Sequence, residues 1–198
     1  MDMNLIDTID YYAYIKPKMT PEKCGDTGLF IIEGNVLLFA LLDVLGHGAT
    51  AYKVAEKARI YLESNFNQDL VSVMKNLHQH LLGTIGLVGN LASLNLEDGT
   101  LSYVGIGNVR AKVYGNERFS FVNRDGIVGY RMPEPKLKIV QINRGDSILM
   151  FSDGISNRDI LLEEDLGFFN DSAKSTTTRI VTEMGNKNDD KACLIVKY

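Results

Sequence analysis

The side chains of this sequence best placed for chemistry are aspartates that stand where apolar segments begin or end. Residues 29–32 and 36–42 are apolar and flank the turn residues 33–35, a pattern typical of a β-hairpin. In antiparallel pairing Asp26 then lies opposite Asp43, because both are about equally far from the turn. Two carboxylates directly opposite each other are destabilising unless a cation lies between them. The hairpin therefore predicts a divalent metal at this pair.

A second group of acids follows the same logic. Asp153 comes just after an apolar segment that ends at Phe151, and Asp189 and Asp190 come just before one that begins at Ala192. Antiparallel neighbours place the end of one strand beside the start of the other. Oxygen donors without a well-placed His or Cys suit Mg²⁺ or Mn²⁺ rather than Zn²⁺. Such a cluster supports hydrolysis at phosphorus.

Each of these positions also has an ordinary structural interpretation. Asp26 lies between glycines and fits a turn, and Asp43 ends a strand, where a purely structural role stays open. Gly46 and Gly48 precede a predicted helix and fit an anion-binding nest, but the segment lacks the spacing of a nucleotide-binding loop. Asp153 alone is typical of a turn. The prediction depends on the joint placement of the acids.

Four other candidates carry weaker signals. His47, close after Asp43, fits either a proton donor or a turn-stabilising residue. His78 and His80 are two apart on a predicted helix and face different directions, which argues against a zinc site. Ser152 has no supporting order of Ser, His and Asp for nucleophilic catalysis. The segment 123–136 is predicted to be a long loop, either a substrate-facing flap or a solvated connection.

These side chains must be positioned by an alternation of strands and helices. The predicted elements are strands at 29–32 and 36–42, helices at 51–65 (N-capped by Thr50) and 69–82, strands at 91–96, 100–106, 110–114 and 118–122, strands at 137–142 and 147–151, a helix at 172–184 and a strand at 192–197. The strands between 91 and 122 are interpreted as one antiparallel meander. This order predicts an α+β fold with helices packed on sheets, in a single domain spanning residues 1–198.

Composition limits the possible partners. The chain has 198 residues, of which 45% are hydrophobic, enough for one compact core. A formal net charge of -4 gives no general attraction for nucleic acid or an anionic membrane. The longest apolar run stops at Asp43, far short of the roughly 20 residues that span a bilayer. The N-terminus lacks a signal-peptide pattern, so the cytoplasm is expected, with Cys24 and Cys193 as free thiols.

Taken in order, four motifs resemble those of the metal-dependent type-2C (PPM) serine/threonine phosphatases. They are found at 25–26, 42–49, 151–155 and 189–192. The Gly-His-Gly at 46–48, the segment 105–108 and the short length resemble the SpoIIE-like bacterial branch, in particular its short stressosome phosphatases. The resemblance implies a four-layered α-β-β-α sandwich, two antiparallel sheets flanked by helices, with a binuclear Mn²⁺ or Mg²⁺ site at one edge.

The resemblance also implies roles for individual residues. Asp43 would bridge the two metals, and the main-chain carbonyl of Val44 would ligate one of them. Asp153 and Asp189 would hold the other, and Asp26 would complete the site directly or through water. Asp43 and Asp26 would then be catalytic, with His47 as the further candidate. The metals would activate a water that attacks phosphorus without a phospho-enzyme.

By the same resemblance, the substrates are phosphorylated STAS-domain proteins of a stressosome or anti-sigma-antagonist proteins of a partner-switching module. Val44 stands where the family usually has Gly, and Ala192 where it usually has Thr. These departures keep open a catalytically silent module that binds a phosphorylated regulator. A metal-dependent hydrolase of small phosphoesters is a further alternative. The early Arg that grips phosphate in larger relatives is not evident, which favours recognition through the protein substrate or the metals.

Overall fold

The computed structural model describes residues 9–18, 24–115, 117–156, 169–186 and 189–198. Its strands are β1 (Asp10–Lys16), β2 (Asp26–Glu33), β3 (Val36–Val44), β4 (Leu87–Asn95), β5 (Thr100–Ile106), β6 (Arg110–Tyr114), β7 (Phe119–Ser120), β8 (Lys138–Gln141), β9 (Ser147–Phe151) and β10 (Lys191–Lys197). Its helices are α1 (Gly48–Asn65), α2 (Leu70–His80) and α3 (Ala173–Glu183). Within the described ranges, none of the helices combines the length and apolar character that a membrane crossing requires.

The strands form two five-stranded sheets. Sheet I has the order β1-β10-β9-β6-β7, and sheet II has the order β2-β3-β4-β5-β8. Neighbouring strands are antiparallel throughout both sheets. Both predicted helices after the hairpin lie close to their expected positions, as does the helix near the C-terminus.

Strand β3 shows how the layers are built. Its side chains alternate between two faces, as in any strand. Leu38 and Leu42 are fully buried on the face that packs against α1 and α2, whereas Leu37 and Leu41 are fully buried on the face that packs against sheet I. Each buried leucine stabilises the fold by roughly 1.5–3 kcal/mol. A strand apolar on both faces therefore lies at the centre of the molecule, as its sequence predicts.

Helix α3 completes the arrangement on the far side of sheet I. Its buried residues Ile180 and Val181 pack with Leu149 of β9 and Ile195 of β10. The three apolar clusters thus separate four layers, in the order helices, sheet II, sheet I and helix. The expected α-β-β-α sandwich is confirmed.

Two parts of the strand prediction are wrong. Strand β1 was not expected, since the sheet was predicted to begin at 29–32, yet Asp10–Lys16 pairs along its whole length with β10. The predicted meander between 91 and 122 is also divided between the sheets, because β4 and β5 belong to sheet II and β6 and β7 to sheet I. A short turn such as Gly107-Asn108 can connect two strands of one sheet or lead the chain from one sheet to the other. Its residue types do not show which of these connections it makes.

The start of α1 also differs from the prediction. The helix begins at Gly48 and its N-cap is His47, so Thr50 lies inside the first turn and does not cap it. Gly46 and Gly48 have φ of 84° and 75°, in the left-handed region that glycine adopts readily. These two glycines let the chain turn from β3 into α1 within a few residues. The turn leaves Asp43 and His47 near the same opening.

Candidate metal centre

The hairpin β2–β3 brings the first two aspartates together. Asp26 and Asp43 are cross-strand partners in the register of the sheet, which confirms the predicted pairing. The backbone N–H of Val44 donates to the carbonyl of Gly25 at 3.1 Å and extends the pairing past the aspartates. Asp26 is only 5% exposed, and Asp43 is partly buried. A buried cross-strand pair of carboxylates is the arrangement that calls for a cation.

Ser152 joins this pair to the other sheet. Its hydroxyl donates to Asp26 Oδ2 at 2.7 Å and accepts from the backbone N–H of Ala192 at 3.0 Å. The side chain is 1% exposed. The bond therefore links the end of sheet I to the first carboxylate of sheet II across the interior of the sandwich.

Asp153 and Asp189 come from sheet I, where β9 and β10 are antiparallel neighbours. Asp153 lies two residues after the end of β9 and is exposed, and its Oδ2 accepts from the Asn108 side-chain amide at 2.9 Å. Asp189 precedes β10, and its Oδ1 accepts from the backbone N–H of Asp190 at 3.0 Å. Both line the same cavity as Asp43.

The adjacent Asp190 has a different position. Its carboxylate accepts from the backbone N–H of Gly25 at 2.8 Å and from that of Lys18 at 2.6 Å, and the side chain is 7% exposed. Asp190 therefore holds the start of β2 against sheet I, while Asp189 remains at the cavity. Of this pair, Asp190 has a structural role and Asp189 is the candidate ligand.

The cavity has a volume of about 480 Å³ and lies where the two sheets meet. It is lined by Asp43, Val44, Leu45, Gly46, His47, Val88, Gly107, Asn108, Asp125, Gly126, Asp153 and Asp189. Asp26 is not in this lining, because it is buried behind Asp43 beside Ser152. His47 is exposed at the opening. Five of the six site residues predicted from the sequence therefore line this one cavity.

The carboxylates raise one another's affinity for protons. Burial, followed by the charge of Asp153, raises the pKa of Asp43 to about 7. The pKa of Asp26 lies well above its usual range, because the side chain is buried and faces the Asp43 carboxylate. Burial also raises the pKa of the Cys24 thiol, so that it is neutral at physiological pH. Negative charge is therefore concentrated here at a free-energy cost that a divalent cation would offset.

The donor set fits a hard divalent cation by its chemistry. Asp26, Asp43, Asp153, Asp189 and the Val44 carbonyl all offer oxygen, the ligand atom that Mg²⁺ and Mn²⁺ prefer. Val44 lies in the extended backbone of β3, and no described residue other than glycine has a positive φ. Glycine is thus not required at this position. Within the described ranges, no three His, Cys, Asp or Glu side chains already close around a common ion position.

The family match connects this geometry to known proteins. The sequence profile of the family described as Stage II sporulation protein E (SpoIIE) matches residues 33–198. The chain belongs to the SpoIIE family. The match includes Asp43, Asp153 and Asp189, whereas Asp26 precedes it. The two-sheet sandwich with flanking helices is the PPM phosphatase fold that this family shares.

Individual relatives agree with the SpoIIE assignment. The phosphoserine phosphatase RsbX of Bacillus subtilis (strain 168) is 24% identical over 140 residues, 69% of this chain and 70% of RsbX. A structure from work on the bacterial stressosome, described as a modular system adapted to control secondary messenger signalling, matches with a TM-score of 0.87 and 26% identity, covering 96% of this chain and 99% of that chain. A structure of RsbX in complex with magnesium matches with a TM-score of 0.83 and 19% identity, covering 95% and 94%.

Three contributors to the SpoIIE-type site were not predicted in these roles. Asn108 was noted in a motif, but its bond to Asp153 depends on the crossing between sheets at Gly107. Asp125 lies in the loop predicted at 123–136 and lines the cavity. Ser152 was considered as a nucleophile, whereas its hydroxyl is committed to Asp26 and Ala192. Each role depends on tertiary contacts that no local pattern specifies.

Proposed function

We propose that this SpoIIE-family chain is an Mg²⁺- or Mn²⁺-dependent phosphatase that removes phosphate from serine or threonine of a phosphoprotein. One observation carries the proposal: Asp43 of sheet II lines one cavity together with Asp153 and Asp189, which adjoin strands of sheet I, and Asp26 is buried as the cross-strand partner of Asp43. Four aspartates gathered at the ends of four strands have a high electrostatic cost without a cation.

In this proposal Asp43 would hold both metals, with the Val44 carbonyl as a further ligand of one and Asp153 and Asp189 as ligands of the other. Asp26 would complete the site directly or through water. Bound divalent ions would supply Lewis-acid charge at the phosphoryl oxygens and lower the pKa of water. The binuclear state, like each ligand role, belongs to the proposal.

The chain's own residues orient these groups. Ser152 fixes one oxygen of Asp26 by its hydrogen bond, and Asn108 fixes one oxygen of Asp153. His47 is exposed at the cavity opening, and in this proposal it would donate a proton to the seryl or threonyl oxygen as it leaves. The open cavity admits a side chain that projects from a protein surface.

Related proteins support the choice of substrate. One relative is named a phosphoserine phosphatase, and one matching structure comes from work on the stressosome. We therefore infer that the substrates are phosphorylated STAS-domain proteins of a stressosome, or anti-sigma-antagonist proteins of a related module, in the cytoplasm.

The test is turnover of a phosphorylated STAS-domain protein with and without Mn²⁺. Asp43→Asn should abolish phosphate release, because it removes the charge that is central to the site, while circular dichroism shows an intact fold. Excess chelator should likewise stop the wild-type reaction. Unchanged turnover in Asp43→Asn, or full activity in chelator, would contradict the metal-dependent mechanism.

A silent phosphoprotein-binding module is the second candidate, and one observation favours it. Ala192 is fully buried in the apolar cluster between the sheets, so position 192 provides no hydroxyl near the site. Calorimetry distinguishes the two: absence of Mn²⁺ binding at millimolar metal, together with retained binding of the phosphoprotein, would favour the silent module.

A further inference from the structure

Four large apolar side chains are exposed on or close to chain segments that line the cavity. Leu45, Leu82, Ile85 and Tyr130 have exposed fractions of 37%, 49%, 41% and 73%. We call these four residues the apolar rim. Scattered single apolar residues are ordinary on a protein surface, whereas a contiguous group marks an interaction site.

The three segments that carry the apolar rim are hydrogen-bonded together. The N–H of Leu45 donates to the carbonyl of Gly86 at 3.2 Å. Leu87 and Val128 exchange backbone hydrogen bonds at 3.0 and 2.8 Å. A Cβ placed on Gly86 would lie 3.8 Å from the Cβ of Tyr130. The three chain segments that carry the rim are therefore adjacent to one another at the backbone.

The loop that presents Tyr130 is held firmly in place. Gly129 has φ of 86°, and a Cβ there would lie 2.8 Å from the carbonyl oxygen of Leu81. The Gly129 N–H also donates to Nδ1 of His78 on α2 at 2.9 Å. Close backbone packing and this hydrogen bond fix the loop against α2. The surface is therefore preformed, which lowers the entropy lost when a partner binds.

The apolar rim is continuous with the cavity. Leu45 belongs to both, and Asp125 and Gly126, in the same loop as Tyr130, line the cavity too. A folded protein whose phosphorylated side chain enters this opening must lie over the surface around it. Arg131, exposed next to Tyr130, adds a positive charge that suits a partner carrying phosphate.

We propose that the apolar rim docks the phosphoprotein substrate, by packing against apolar side chains that flank its phosphorylated residue. The inference rests on the proposed function and extends it, since it places part of the substrate specificity outside the cavity. Tyr130 is the expected anchor, because tyrosine is enriched among interface residues that carry most of the binding energy.

The experiment compares Tyr130→Ser and Leu82→Ser with the control Ile139→Ser. Ile139 is also exposed and apolar, at 62%, but it pairs with Ser102, far along β5 from the cavity residue Gly107. Each variant is assayed on a phosphorylated STAS-domain protein and on p-nitrophenyl phosphate. For the rim variants, kcat/KM for the phosphoprotein should fall by about tenfold or more relative to kcat/KM for the small ester. The control should leave this ratio unchanged.

Binding separates this inference from the proposed function. In the Asp43→Asn background, Tyr130→Ser should weaken binding of the phosphoprotein, as measured by calorimetry. If the wild type binds the phosphoprotein through Tyr130 without turning it over, docking stands and the phosphatase proposal fails. If turnover occurs but the rim variants keep the wild-type ratio of the two kcat/KM values, the docking proposal is refuted and the phosphatase proposal stands. A sedimentation shift from dimer to monomer in Tyr130→Ser, with unchanged turnover, would instead identify a contact between two copies of this chain.

Discussion

Ser152 is the residue through which the two sheets share a hydrogen bond at the site. Its hydroxyl is both donor to Asp26 and acceptor from the Ala192 N–H. Ser152→Ala should lower the free energy of unfolding by about 1–3 kcal/mol, because two buried groups lose a partner. Urea denaturation measures this loss, with the exposed Ser120→Ala as the control. A change no larger than that of the control would mean that solvent replaces the hydroxyl.

Also at the scale of residues, the raised pKa of Asp43 predicts how the stability of the metal-free protein changes with pH. Its pKa rises from 3.8 to about 7 on folding, so the folded protein holds this proton more tightly than the unfolded chain. The associated stability is present at low pH and is lost as the pH rises through 7. In chelator, the melting temperature should therefore fall between about pH 5 and 7 and level off above pH 7.

The control for this pH effect is Asp43→Asn, in which the fall in melting temperature with rising pH should be smaller than in the wild type. Carboxylates with lowered pKa, such as Asp69 and Asp98, act with the opposite sign but below this window. They should not obscure the comparison. Equal pH dependence of both proteins would show that Asp43 does not carry the proton.

At the scale of elements, the turn after β9 is packed tightly against the start of β10. A Cβ on Gly154 would lie 2.0 Å from the carbonyl oxygen of Asp190. Gly154→Ala should therefore displace the segment that carries Asp189 and weaken Mg²⁺ binding, measured by calorimetry. Gly34→Ala is the control, since it has φ of 57° and open space around it, so it adds only about 1–2 kcal/mol of backbone strain. Similar Mg²⁺ affinity in both variants would contradict the steric argument.

Elements also show what the sequence could and could not predict. The β2–β3 register follows from two apolar runs around one short turn, so the Asp26–Asp43 pair was accessible from local pattern alone. Strand β1 was missed because its pairing partner, β10, lies at the other end of the chain. The change of sheet at Gly107 was missed because turn residues specify a reversal and not which sheet follows it. The Asn108–Asp153 bond depends on that change.

For the whole molecule, the important property is that the candidate ligands are divided between the sheets. Asp26 and Asp43 belong to sheet II, and Asp153 and Asp189 adjoin strands of sheet I. The site therefore depends on the packing of the central apolar layer between the sheets, whose residues include the fully buried Leu37. Changes in that layer, far from the cavity, would alter the distance between the two halves of the site.

Strand β10 follows every other described strand in the chain, yet it lies inside sheet I, between β1 and β9. During synthesis on a ribosome, β1 therefore waits for a partner until the last of these strands has emerged. Asp189, two residues before β10, joins the other aspartates at the same moment. Asp26 and Asp43 would lack Asp189 beside them until then, so the order of synthesis postpones assembly of the proposed metal centre until β10 has folded.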